Sequence, residues 1–150
     1  MLKISLVLVA ATACLATSVQ ANNFKEVDDA IHYRQAAFGM IAHNFGDMGA
    51  MLKGKKDYDA AIFAMRATNV AALSKLPLEG FVSGSDTGST EALAKIWSDK
   101  TDFDAKMKTF QENADLLALA AGTSDKKQIK QAFINTGKSC KGCHDVYKKD

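Results

Sequence analysis

The chain has 150 residues, a formal net charge of +2 and 47% hydrophobic residues. A balance this close to neutral offers no basic face for nucleic acid, and the length suits one domain with a real core. A single proline, Pro77, in a chain rich in Ala, Lys, Asp, Met and Leu is a helical composition.

The start reads as an address. Met1-Leu2-Lys3 is a short positive segment, and Ile4 to Ala13 is an apolar run too short for the roughly 20 residues that span a bilayer. Val19-Gln20-Ala21 fits a small-residue cleavage site, with Ala16-Thr17-Ser18 a weaker one. Residues 1–21 are therefore expected to be a signal peptide. The mature protein, 22–150, is expected to be exported and to have no membrane span. Cys14 lies in the removed segment. A lipoprotein cleavage before it is disfavoured, because Ala11 stands where Leu is usual. Lys3 is the only charge removed, so the mature chain falls from +2 to +1.

The first helix is expected from Asn23 to Leu52. Ile31, Phe38, Phe45 and Leu52 form one row, and Val27, Arg34, Ile41 and Met48 the other. Gly54, among lysines, stops it. The second is expected to open at Asp57 as N-cap, to carry Ile62, Met65, Asn69, Ala72 and Leu76, and to end before Pro77. Periodicity fails from Leu78 to Lys100, where Ser83 to Ser89 is a turn-forming run and Thr90 to Trp97 reads as a short helix. A connection this long points to function. The third long helix begins near Thr101-Asp102-Phe103-Asp104 with the seam Phe103, Met107, Phe110, Ala114, Leu117 and Ala121, ending at Gly122. Ser124 caps the last helix, whose seam is Ile129, Phe133, Thr136, Cys140, Cys143 and Tyr147. Seams of period 3.5 in four helices predict an all-α, antiparallel, left-handed four-helix bundle. It would run up-down-up-down, with the long connection between the second and third long helices.

Cys140-Lys141-Gly142-Cys143-His144 carries the chemistry. On a helix its thiols and imidazole sit at i, i+3 and i+4, on one face of one turn. Two thiols so placed can add to the two vinyl groups on one edge of a porphyrin, and the imidazole then lies where it can bind the iron. Zinc needs four ligands, and His32 and His43 are far away and off the seam. A redox dithiol would sit between a strand and a helix, and no strand pattern is visible. A disulfide closing so short a loop gains little. One covalent haem c, on Cys140 and Cys143 with His144 as axial ligand, is the expectation, and export agrees with it.

Three seam features bear on that haem. Arg34 breaks an apolar row and needs an anion, for which a haem propionate would serve. The alternative is solvent or an Asp or Glu partner. Met48, Met65 and Met107 lie on seams; a thioether can bind iron, although core filling is its commoner role. Phe38 stands one turn beyond Arg34, about 6 Å along the axis, where a ring would lie over the haem.

The chain resembles the cytochrome c′ family over nearly all of 24–150. The resemblance is carried by Tyr33-Arg34-Gln35, Lys53-Gly54 with Tyr58-Asp59-Ala60-Ala61, Ile96-Trp97, Phe103, and Gly137-Lys138-Ser139 before the haem motif. It implies a periplasmic homodimer and a five-coordinate, high-spin iron that binds NO and CO, with links to nitric-oxide tolerance. It also implies propionate contacts from Arg34 and Gln35, a haem edge bordered by Thr90 and Glu91, a distal residue at Phe38 and a proximal one at Lys148. Phe38 departs from the usual aliphatic residue, and Lys148 from the usual Arg. Extra apolar residues on the first helix, Ala37, Met40 and Met51, suit a dimer contact through the first two helices. Gas binding is the expected role, and a benzyl group without a donor disfavours O₂. Electron transfer with a redox partner protein is the alternative. A catalytic role would want a distal acid–base group, so no enzyme activity is expected.

Overall fold

The computed structural model describes residues 24–149. The expected signal peptide, its cleavage site and Cys14 lie outside them. Five helices follow in order: α1 (Val27–Leu52), α2 (Ala60–Leu73), α3 (Lys95–Ser98), α4 (Lys100–Ala121) and α5 (Lys126–Tyr147). A short 3₁₀ turn, Pro77–Gly80, opens the connection after α2. The four long helices form the bundle. α1 packs on α2, α2 on α4 and α4 on α5. Among the described residues no helix is long and apolar enough to cross a membrane.

The local chemistry explains most boundaries. α1 opens with a reciprocal capping box between Glu26 and Asp29. Gly54, at φ 67°, takes the left-handed conformation that ends it. The third long helix, α4, buries every residue of its expected seam, from Phe103 to Ala121. α5 buries Ile129, Thr136 and Tyr147 on its own, with Phe133, Cys140 and Cys143 half-buried between them.

Some expectations need correction. α2 is capped by Asp59, not Asp57, because the Asp59 carboxylate accepts from the Ile62 N–H at 2.9 Å. Its buried face is Phe63, Ala67, Val70 and Ala71, continued by Ser74, and it shares no residue with the expected stripe. Met65 points out, 49% exposed. The Phe63 ring, fully buried, outweighs the thioether in choosing the face. α4 starts at Lys100 with Asp99 as N-cap. α5 is capped by Asp125, whose carboxylate accepts from Lys127 and Gln128 N–H, and not by Ser124. The short helix α3 spans only Lys95–Ser98, and the residues from 90 to 94 are not helical. Ala37 and Met51 are in the core, at 2% and 4% exposure, so they form no outer strip. Only Met40 of that set is exposed.

The core has two halves. At the end where α1 meets α2 and α4 meets α5, Met48, Met51, Phe63, Ala67, Ala114, Leu117 and Ile129 close it with hydrocarbon. Phe45 of α1 and Phe133 of α5 then stack at 4.2 Å, nearly parallel, and Phe133 Cζ comes within 3.3 Å of the Cβ position of Gly49. Beyond that pair α1 and α5 separate, and a cavity opens.

Candidate functional site

The cavity holds about 570 Å³, within the ~300–1,000 Å³ of small-molecule and cofactor sites. α1 supplies Arg34, Gln35, Phe38, Ile41 and Phe45; α4 supplies Phe103, Met107 and Phe110; α5 supplies Gly137, Cys140, Cys143, His144 and Tyr147. The connection adds Phe81, Thr90, Glu91, Ala92 and Ile96, and Lys148 completes the rim. Every residue singled out for the site in the sequence therefore reaches this one cavity. His32 and His43 do not line it, and both are exposed. Of the three seam methionines only Met107 lines it. Met48 belongs to the closed half and Met65 faces outward.

The chemistry of the lining fits a haem. Cys140 and Cys143 are free and half-buried, on the face of α5 that looks into an apolar space. Burial pushes both thiols up, Cys143 to about 11, so they stay protonated near neutral pH. An S–H is the group that adds across a vinyl double bond. His144 stands beside them at the more open side. Partial desolvation, helped by the Lys148 charge, lowers its pKa against the opposing Asp145 and Glu91. The imidazole is then neutral near pH 7, the form that binds a metal. Among the described residues no cluster of three or more His, Cys, Asp or Glu could hold a metal ion by itself. A tetrapyrrole brings its own four nitrogens, so one histidine is enough.

Arg34 lies at one end of the cavity. It is 2% exposed and pairs with no carboxylate among the described residues. Nη1 donates to the Gly80 carbonyl, at 2.6 Å, and to Ser85 Oγ. Nη2 donates to the Ser85 carbonyl and, at 2.8 Å, to Thr90 Oγ1. The guanidinium also lies over the Phe81 ring, 4.6 Å from its centroid. Burial pushes its pKa down, with Asp86 opposing. The charge thus remains without a paired anion at one end of the cavity, which is the field a propionate would meet. Gly80 makes this docking possible, since a Cβ there would meet the Ala30 carbonyl at 2.5 Å and Arg34 Cβ at 2.8 Å. Next to Arg34, Gln35 donates its amide to the Ser89 carbonyl at 2.8 Å.

Phe38 lines the cavity one turn on and meets Phe81 edge to face, with centroids 6.4 Å apart. Phe81 continues to Phe103, and Phe103 to Tyr147, as an aromatic backing. Lys148 pairs with Glu91 at 2.8 Å. Phe81, Phe110 and Tyr147 were invisible to site reasoning in the sequence. Phe110 and Tyr147 sat on seams and looked like core. Phe81 sat in the stretch without periodicity.

Comparisons with known proteins agree. The family model for cytochrome C′ matches residues 29–148. A cytochrome c′ of Rubrivivax gelatinosus is 46% identical over 84% of this chain and 98% of its own length. The structure of cytochrome c prime from Shewanella frigidimarina superimposes with a TM-score of 0.84 at 74% identity, over 85% of this chain and all of that one. A nitric oxide complex of a variant cytochrome c prime from Alcaligenes xylosoxidans gives 0.79 at 38% identity, over 85% and 98% of the two chains. The match spans the whole cavity-forming part of the molecule, and so this chain belongs to the cytochrome c′ family, whose cofactor is covalently bound haem c.

Proposed function

We propose that this protein is an exported, periplasmic gas-binding haem protein with one haem c, and that it is not an enzyme. The observation that carries the reading is the meeting of Cys140, Cys143 and His144 with Phe38 in one apolar cavity. The thiols of Cys140 and Cys143 would hold the haem as thioethers, and His144 would be the protein's ligand to its iron. Bound there, the haem supplies an iron with one open position that takes NO or CO. Phe38 fills the space where a sixth ligand would sit and offers no hydrogen bond. That disfavours O₂, whose bound form gains from a donor. Arg34 and Gln35 face the propionate end, Thr90 and Glu91 the edge, and Lys148 the proximal side. The nitric oxide complex of the Alcaligenes xylosoxidans relative supports the ligand class. Exposed Met40 and Met65, on α1 and α2, support a homodimer through those helices. His43, the candidate distal acid–base group, is exposed and does not line the cavity, which supports this reading over a peroxidase.

Electron transfer with a redox partner is the second reading, and Met107 favours it, since its thioether lines the cavity. Optical spectra of the purified ferric and ferrous protein separate the two. A high-spin spectrum that changes on adding NO or CO is expected. A six-coordinate low-spin spectrum indifferent to CO would overturn gas binding. An intact mass equal to residues 22–150 plus one haem is expected alongside.

A further inference from the structure

Two short extended segments meet beside His144. The Leu93 N–H donates to the Tyr147 carbonyl at 3.0 Å, and the Lys149 N–H donates to the Glu91 carbonyl at 2.8 Å. Ala92 faces Lys148 between these bonds as an isolated antiparallel bridge. The Lys148–Glu91 ion pair lies on the same two segments. Tyr147 and Lys148 are three and four residues after His144, and the Lys148 N–H still donates to the His144 carbonyl at 3.2 Å. The bridge therefore grips the turn that carries the imidazole.

Thr90 fixes where the grip falls. Its Oγ1 accepts from Arg34 Nη2 at 2.8 Å and from the Ala92 N–H at 3.1 Å. The first bond ties residue 90 to α1. The second folds residues 90–92 into a local hydroxyl-to-backbone turn that sets the direction of Leu93 N–H and Glu91 C=O. Arg34 cannot drift, because its other three terminal N–H groups are held by Gly80 and Ser85. A continuous run of hydrogen bonds thus leads from α1, one turn before Phe38, to the last turn of α5.

We propose that Thr90 is a positioning residue for the iron ligand: through Arg34 and the bridge to Tyr147 and Lys149 it fixes the last turn of α5, and with it the distance and tilt at which His144 meets the iron. The proposal rests on His144 being the axial ligand. The ordinary alternative is that Thr90 only helps the connection fold, with no effect on the iron.

The experiment uses the haem-loaded protein with Thr90→Val, which keeps the shape and removes both bonds. Hydrogen exchange at the Leu93 and Lys149 amides should speed about tenfold, the size of one net hydrogen bond. Exchange at Leu117, in the closed half, should stay as in the parent. The iron–histidine stretching band of the ferrous protein, read by resonance Raman, should shift and broaden as the imidazole samples more positions. Thr90→Ser should restore both signals. An unchanged band in Thr90→Val, with exchange or melting altered, would overturn the proposal and leave Thr90 a structural residue. If Thr90→Val does not fold or load haem, Glu91→Gln decides. It weakens the bridge from its exposed side: a shifted band with faster exchange at Leu93 and Lys149 supports the proposal, and an unshifted band, or a shift without faster exchange, rejects it. Absence of any iron–histidine band in the parent protein is a separate failure, that of the axial assignment itself.

Discussion

The two halves of the bundle are held by different physics. Below the Phe45–Phe133 stack the helices close mainly on hydrocarbon, with Met48, Phe63, Ala67, Val70, Ala114 and Leu117 at or near zero exposure. Above it the same helices part around a cavity, and polar ties join the packing of Ile96, Phe103 and Tyr147. Arg34 ties α1 to the connection, the 92/148 bridge ties the connection to α5, and Tyr147 Oη donates to the Asp102 carboxylate at 2.7 Å. Hydrocarbon packing is dense and insensitive to direction, so it supplies stability. Hydrogen bonds specify direction at little net gain, so they suit a region that must present a thiol pair and an imidazole in one geometry.

That division is sharpest at Phe63. Phe63→Ala removes a fully buried ring from the closed half and should cost about 3–5 kcal/mol of stability. Chemical denaturation should show the loss, while the haem spectrum and CO binding stay as in the parent. A changed spectrum would mean the halves are not independent. Phe38→Ala tests the other side. Phe38 is only half-buried and borders the cavity, so the stability cost should be smaller than at Phe63. CO association with the ferrous protein should rise severalfold. A large stability loss with unchanged CO kinetics would reassign Phe38 to ordinary packing against Phe81.

The smallest effect belongs to the polar seam between α1 and α2. Asp47 is held below the usual carboxylate range, first by its hydrogen bond from Lys56 and then by Arg66. Its folded pKa is depressed, so its contribution is present above the unfolded value of about 3.9 and is lost as pH falls through the folded value. Asp47→Asn should lower the melting temperature slightly at pH 6, and the difference should begin to shrink as pH drops below about 4 and vanish once Asp47 is protonated in the folded state. A difference that persists in acid would mean the amide is disturbing packing and not removing charge.

Much of this was legible in the residues. The α4 seam and most of the α5 seam are clear because large apolar side chains recur on one stripe, with charged residues beside it through the first half of α4. The haem motif places three functional groups by spacing alone. The face of α2 was misread because Ala-rich helices have apolar residues on more than one face, and only the size of Phe63 breaks the tie. The partners of Arg34 were not legible at all. They are backbone carbonyls and hydroxyls 46 to 56 positions away, and a carbonyl has no side-chain signature. The bridge at Ala92 and Lys148 was hidden for a similar reason, since one pair of residues has no period. Thr90 and Glu91 came into view through family resemblance.

Arg34 also divides the connection into rungs. It holds Gly80, Ser85 and Thr90, and each rung is fixed to the same guanidinium. Between the last two, Thr87, Gly88 and Ser89 are exposed, with Gly88 at φ 81° turning the chain outward. The ends of that excursion cannot move, yet its length is nearly free, because each doubling of a flexible loop costs only about 0.6 kcal/mol. An insertion after Thr87, a tag or a small domain, should therefore be tolerated. The same addition between Gly80 and Ser85 would pull two rungs apart.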